Sequence, residues 1–143
     1  MIFQPHEVAY LREAELGRLA TVQPNGTPQV SPVGFTYNED LQTIDIMGYR
    51  MSRSQKYRNI ATNNKVALVV DDIASRNPWR VRCLEIRGVA EQATVPGERT
   101  GGAGEALESA IIRIRPRRVI SFGIDDTKTE PHLLTPDKRD VTA

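Results

Sequence analysis

The sequence predicts a single all-β domain, an antiparallel barrel with small helical covers. At least six segments have the alternation or β-rich composition of strands, whereas only two short segments have helical character. The dipeptide Asn25-Gly26 between two β-rich segments is a strong hairpin signal, because both residues tolerate a positive φ. A length of 143 residues fits one domain, 1–143. Strand count alone leaves a sandwich open as the alternative to a closed barrel.

The first third of the chain predicts a short helix and then a three-stranded meander. Residues 5–16 carry a weak apolar stripe with helical spacing, and Gly17 ends it. Three strands follow, at residues 18–22, 29–37 and 43–49. The Asn25-Gly26 turn and a polar turn at 38–40 separate them, and tight turns of this kind join antiparallel neighbours.

The rest of the chain predicts a second helix, three further strands and a polar tail. The helix begins at Ser54 and ends near residue 63. The strands are expected at residues 66–70, 81–92 and 111–123. Residues 71–79 are predicted as a polar connection, and residues 94–108, with four glycines, as a mobile loop. The tail from Asp125 is polar and charged.

Composition predicts a soluble cytoplasmic protein. The net charge of +1 and a sequence pI of about 7.9 give no global field that would attract nucleic acid. The single cysteine, Cys83, excludes an internal disulfide and fits a reducing compartment. No apolar run approaches the roughly 20 residues that span a bilayer, and the N-terminus lacks the features of a signal peptide. We therefore expect neither nucleic acid nor a membrane as a partner.

The most informative segment surrounds the start of the second helix. Arg50, Arg53, Lys56 and Arg58 flank the expected N-cap residue Ser54, directly after a strand. The first amides of a helix have no intrahelical partners and carry partial positive charge, so added cations create an anion site, most often for phosphate. A solvated basic face with Ser54 as a plain cap is the alternative.

Two further segments suit a planar organic ligand. Pro32, in the sequence Ser31-Pro32-Val33, removes a donor from the sheet ladder, so this part of its strand should be an edge or a bulge with free backbone groups. Trp79, the single tryptophan, could stack on a ring or pack at a subunit interface. Arg80 and Arg82 could reach a second phosphate or an acidic tail, or could be solvated surface residues.

The sequence lacks motifs for catalysis by protein side chains or by a bound metal ion. His6 and His132 lie at opposite ends of the chain without partners at metal-ligand spacing, so no metal site is predicted. There is no Gly-x-Ser-x-Gly elbow and no phosphate-binding P-loop, and Cys83 in mid-strand is better explained as a packed side chain than as a nucleophile. If the protein is an enzyme, a bound cofactor carries its chemistry, and the catalytic residues are unknown.

An ordered set of motifs resembles the split β-barrel flavin and deazaflavin superfamily typified by pyridoxamine 5′-phosphate oxidase. The motifs are LATV-x-PNGTPQVSPVGF at 19–35, S-x-K-x-x-NI at 54–60, NKVALVV at 64–70, PWR-x-R-x-LEIRG-x-AE at 78–91 and IRIRPRRV at 112–119. Together they span about residues 10–124, and they are most similar to the branch that uses coenzyme F420. The resemblance implies an FMN-binding-like split β-barrel, a Greek-key antiparallel barrel with a few short helices.

The same resemblance implies a homodimer with two cofactor sites at its interface. Arg50, Arg53, Ser54 and Lys56 would hold the cofactor phosphate, in a segment where the oxidase has Ser-Arg-Lys and this chain has Gln55 in place of the arginine. Ser31, Pro32 and Val33 would border the deazaflavin. Trp79, Arg80 and Arg82 would line its ring or tail. The oxidase's residues for pyridoxal phosphate have no match in the tail.

The activity implied by the resemblance is hydride transfer from reduced coenzyme F420 to an electron-poor double bond of a small organic, even polycyclic, substrate. Deazaflavins transfer hydride and react poorly with oxygen. Tyr49, Tyr57 or solvent could supply the accompanying proton. Two alternatives stay open: an FMN-dependent oxidase or reductase, and a flavin or deazaflavin carrier without turnover.

Overall fold

The computed structural model describes residues 1–96, 99–100, 106–107 and 109–142. Within them lie two α-helices, α1 (Pro5–Glu13) and α2 (Gln55–Thr62), and single 3₁₀ turns at Met51–Arg53 and Pro131–Leu133. The described strands are β1 (Gly17–Val22), β2 (Pro28–Asn38), β3 (Thr43–Met47), β4 (Lys65–Arg76), β5 (Trp79–Thr94), β6 (Arg99–Thr100), β7 (Ala106–Leu107), β8 (Ala110–Phe122) and β9 (Asp137–Asp140).

Seven of these strands form one antiparallel sheet that closes on itself. Their order is β3-β2-β1-β4-β5-β8-β9, and β3 also pairs with β8, which returns the sheet to its start. Closure extends from the pair Ile44–Ile114 to the pair Ile46–Ile112. The predicted meander of β1, β2 and β3 is confirmed, and the ring-like sheet confirms a mainly β, split-barrel fold over a sandwich.

The core lies inside this ring and comes from one face of each strand. Leu19, Leu68 and Ile86 are paired in register across β1, β4 and β5, and each is at most 1% exposed. Burying each such side chain contributes roughly 1.5–3 kcal/mol. The strands predicted at 81–92 and 111–123 are confirmed, and on their inner faces Leu84, Ile86, Ile112 and Ile114 are buried.

Three boundaries in the sequence prediction are wrong. Strand β3 ends at Met47 rather than at residue 49. Helix α1 ends at Glu13 rather than residue 16, because Ala14 is already extended (φ −77°, ψ 144°). Residues 71–79 are not a simple connection: β4 continues to Arg76 and β5 begins at Trp79, so the two strands form a long hairpin. No apolar alternation marks these strand residues, because they are polar and stabilise this hairpin through side-chain ion pairs rather than through apolar burial.

The tail contains more structure than its polarity suggests. After Asp125 the chain makes a turn in which the Asp126 carboxylate accepts bonds from the amides of Lys128 and Thr129, and β9 then pairs with β8. The loop predicted as mobile, 94–108, is described only in part, and its glycines at 97, 101, 102 and 104 lie outside the described residues. No helix in the described part of the chain is long and apolar enough to cross a membrane.

Candidate functional site

The predicted anion site is a cleft between the end of β3 and the start of α2. Its volume is about 610 Å³, and it is lined by Gly48, Tyr49, Arg50, Met51, Arg53, Ser54 and Lys56. The four residues predicted to hold a phosphate therefore lie together on one surface. Sequence reasoning did not assign Gly48 or Met51 to the site, because neither carries a charge or a motif that marks it.

Buried anchors fix the shape of the cleft. Met51 is 1% exposed and holds the connecting segment against the core. The Ser54 hydroxyl donates to the Met51 carbonyl (2.7 Å) and accepts from the Tyr57 amide (3.3 Å), so its predicted role as N-cap is confirmed. The first intrahelical bond joins the Arg58 amide to the Ser54 carbonyl (3.3 Å). The positive end of the helix dipole thus faces the cleft residues Ser54 and Lys56.

The cleft carries uncompensated positive charge. Arg50, Arg53 and Lys56 line it, and no carboxylate does. Among the described residues, none of these three cations has an ion-pair partner, whereas Arg113 and Arg118 of the sheet each pair with a carboxylate. Because like charges repel unless an anion lies between them, this arrangement is suited to a phosphate or another anion.

One stretch of β2 is an open strand edge. Residues 28–33 of β2 pair only with β1, since pairing with β3 begins at Gly34 opposite Met47. The edge predicted from Pro32 is therefore confirmed, and the next residue after Met47 is Gly48, which lines the cleft. Val33 is buried and Pro32 is exposed. The Ser31 hydroxyl is buried and, among the described residues, finds no hydrogen-bond partner; none of Ser31, Pro32 and Val33 lines the cleft.

Asn59 joins the helix to the strands beside this edge. Its side-chain amide donates to the Thr21 hydroxyl of β1 and to the Gln29 side chain of β2, both at 3.0 Å, and its oxygen accepts from Gln55 at 2.7 Å. Asn59 is fully buried. These bonds give a physical reason for the asparagine in the S-x-K-x-x-NI motif: it fixes α2 against β1 and β2.

The residues predicted to line the ring or tail of the cofactor lie elsewhere in the subunit. Trp79, Arg80 and Arg82 start β5 in the β4–β5 hairpin, and none of them lines the cleft of their own chain. Trp79 is 55% exposed, and the Arg80 guanidinium donates to the Asp126 carbonyl at 3.3 Å. Sequence order could not reveal this separation, because it depends on where the hairpin points.

Arg82 belongs to a cluster that fastens the hairpin to α1. Its guanidinium binds both oxygens of Asp72, pairs with Glu13 at 2.9 Å and lies over the Tyr10 ring, 4.8 Å from its centroid. The Tyr10 hydroxyl donates to Asp72 at 2.9 Å. The Arg82 bonds, with a smaller effect from Tyr10, lower the pKa of Asp72, while burial and Asp72 raise the pKa of Tyr10.

Other reactive groups lie outside the cleft. Burial, together with Asp71 and Glu85, raises the pKa of Cys83 to about 11, so its thiol stays protonated at neutral pH. In the part of the chain that the structure describes, no group of three or more His, Cys, Asp and Glu residues could hold a metal ion.

The described chain thus combines a split barrel with a cleft lined by Arg50, Arg53 and Lys56. The family model described as pyridoxamine 5′-phosphate oxidase matches residues 3–129. The chain belongs to this family. It is 43% identical over 146 residues, covering 100% of this chain and 96% of the relative, to the 5a,11a-dehydrotetracycline/5a,11a-dehydrooxytetracycline reductase of Streptomyces rimosus. The protein is an enzyme, an oxidoreductase of the split-barrel type.

Solved structures agree with this placement. An F420 reductase is 28% identical, with a TM-score of 0.58 over 80% of this chain and 95% of that chain. A heme binding protein from Mycobacterium smegmatis is 17% identical, with a TM-score of 0.64 over 97% of this chain and 60% of that chain. The second likeness shows the fold alone, since one fold serves many ligands.

Proposed function

We propose that this protein is a reductase that uses reduced coenzyme F420 to reduce an electron-poor carbon–carbon double bond of a polycyclic substrate such as a dehydrotetracycline. The observation that carries the proposal is the 43% identity, over the whole chain, to a dehydrotetracycline reductase. The F420 reductase of the same fold supports the choice of cofactor.

The residues of the cleft fit the phosphate part of this cofactor. Arg53, Lys56 and the first turn of α2 would hold the phosphodiester, with Arg50 beside them. The Ser31 hydroxyl, which has no partner among the described residues, and the free edge of β2 would offer polar groups to a flat heterocycle. When bound, the deazaflavin supplies hydride, so the protein contributes binding, orientation and exclusion of water.

The alternative cofactor is FMN, which shares a phosphate and a tricyclic ring with coenzyme F420. The cationic cleft by itself fits both. Coenzyme F420 continues past its phosphate into an acidic glutamate tail, and the cleft has three cations without ion-pair partners among the described residues, more than one phosphate requires. This excess favours F420 over FMN, and the reductase relatives favour turnover over a carrier role.

A turnover assay tests the proposed activity. Purified protein mixed with a dehydrotetracycline and reduced coenzyme F420 is expected to oxidise the cofactor and form the tetracycline, followed by the rise in deazaflavin absorbance and by mass spectrometry. Reduced FMN in the same assay should give little product. Product with reduced FMN alone would move the assignment to an FMN enzyme, and tight F420 binding without product would support the carrier.

The proposed assembly is a homodimer in which each subunit completes the other's site. Trp79 and Ile73 of the β4–β5 hairpin are 55% and 42% exposed, and Val30 on the open edge of β2 is 68% exposed. Apolar groups of this size are suited to cover in an interface. The hairpin of one subunit would bring Trp79 to the cleft of its partner.

Light scattering and tryptophan fluorescence test this assembly. A dimer is expected at micromolar concentration. Because Trp79 is the single tryptophan of the chain, its emission should be quenched when coenzyme F420 binds. A stable monomer, or Trp79 emission that saturating cofactor leaves unchanged, would contradict the proposed interface.

A further inference from the structure

Reduction of a carbon–carbon double bond requires a proton as well as a hydride. If the protein is the reductase proposed above, a group in or near the cleft must supply that proton. The candidates are side chains with a transferable proton that line the cleft: Tyr49, Ser54 and Lys56. The Ser54 hydroxyl already donates to the Met51 carbonyl at 2.7 Å and caps α2. Lys56 lies at the helix start, where the phosphate is proposed to bind.

The four tyrosines of the chain have different surroundings. Tyr10 donates to Asp72, and Tyr37 packs edge-on against Phe3 with ring centroids 5.5 Å apart. Tyr57 is half-buried and packs against the core. Tyr49 alone among them lines the cleft, is 43% exposed, and has a hydroxyl without a hydrogen-bond partner among the described residues.

We infer that Tyr49 is the proton donor of the reduction. When bound, the reduced deazaflavin would supply a hydride to one carbon of the substrate double bond, where the first C–H bond would form. The π-electron pair moves to the other carbon, which takes the proton from the Tyr49 hydroxyl and forms the second C–H bond. The phenolate left on Tyr49 regains a proton from water.

The test compares Tyr49→Phe with the wild-type protein, using a dehydrotetracycline and reduced coenzyme F420. Loss of the hydroxyl should lower kcat by about a hundredfold or more, the usual contribution of a positioned general acid. Substrate KM and the Kd for coenzyme F420 should stay the same, because the ring remains. Tyr57→Phe, which removes a hydroxyl outside the cleft, is the matched control and should keep the wild-type kcat.

A reaction in D₂O adds a stereochemical readout. Wild-type protein should deliver deuterium to one face of the second carbon, whereas Tyr49→Phe should deuterate both faces because solvent replaces the fixed donor. A variant that retains most of the wild-type kcat and its single-face product would overturn the inference. Absence of turnover by the wild-type protein would instead overturn the proposed function, and this inference with it.

Discussion

Replacing Arg53 and Lys56 together by alanine is expected to weaken coenzyme F420 binding by at least about a hundredfold. Each side chain would form a charge-assisted bond to the phosphodiester, worth roughly 1.5–3 kcal/mol, and each such loss corresponds to about a tenfold to hundredfold change in Kd. Both residues line the cleft, and neither has an ion-pair partner among the described residues. Their removal therefore leaves no described carboxylate without its partner. Fold stability should therefore change little.

Fluorescence titration of the deazaflavin measures this effect, with Arg58→Ala as the matched control. Arg58 lies on the same helix but outside the cleft, and its guanidinium binds the Arg53 carbonyl at 2.6 Å and the Gln55 side chain at 2.8 Å. Its loss removes one positive charge, half of what the double variant loses, and should cost at most about fivefold, as for an exposed pair. Equal effects in the double variant and in Arg58→Ala would refute a specific phosphate site.

Arg139→Ala is expected to destabilise the fold by about 3–5 kcal/mol, the usual cost of removing one member of a buried ion pair. Glu7 of α1 is fully buried, and its carboxylate pairs with Arg139 of β9 and accepts from the Ser121 hydroxyl at 2.6 Å. Arg139 also donates to the Ile2 carbonyl at 2.8 Å. Loss of Arg139 would leave the Glu7 charge buried and poorly compensated. The expected loss of stability is a large part of a total stability of about 5–15 kcal/mol.

Urea denaturation at a fixed protein concentration measures the loss. Lys138→Ala is the control, because Lys138 is exposed on the same strand and has no ion pair among the described residues. That variant should behave like the wild-type protein. An Arg139→Ala variant as stable as Lys138→Ala would show that the pair does not hold the tail to α1.

The pH dependence of this deficit follows from Glu7. Burial by itself would raise the pKa of Glu7, but bonds from Arg139, Ser121 and the Gln4 amide outweigh burial and lower its pKa below the usual value. The stabilisation is therefore present at neutral pH and is lost as the pH falls through the folded pKa. In Arg139→Ala the burial of Glu7 would raise its pKa, and protonation would remove the uncompensated charge, so the gap between variant and wild type should narrow as the pH falls into the acid range.

The elements that sequence analysis found are those stabilised by local pattern. Alternation with a period of two located the strands around Ile86 and Ile114, and the Ser54 cap located the start of α2. The extension of β4 through Asp71 and Asp72, and the strand Asp137–Asp140, were missed. Neither has an apolar face; they are held by cross-strand pairing and by ion pairs to Arg18, Arg82 and Glu7.

The candidate site was predictable to the same extent. The cationic helix start is contiguous in sequence, so Arg50, Arg53, Ser54 and Lys56 could be placed together from local signals alone. Whether Trp79 and Arg80 reach a cofactor depends on the direction of the β4–β5 hairpin and on the proposed second subunit. No local sequence pattern encodes either of these. The place of Tyr49 in the cleft depends on the path of the chain after β3, which Met51 fixes by its burial in the core.

The most direct test of the central claim is one paired titration of the wild-type protein with coenzyme F420 and with FMN, at low and at high salt. The acidic tail of coenzyme F420 extends beyond the point where FMN ends, and its exposed contacts with the cleft cations should each be worth ~0.2–1 kcal/mol and be screened by salt. We predict that F420 binds more tightly at low salt and that its advantage shrinks as salt rises, while ring and phosphate binding persists. Equal affinity for the two cofactors, or tighter binding of FMN at low salt, would contradict the assignment to coenzyme F420.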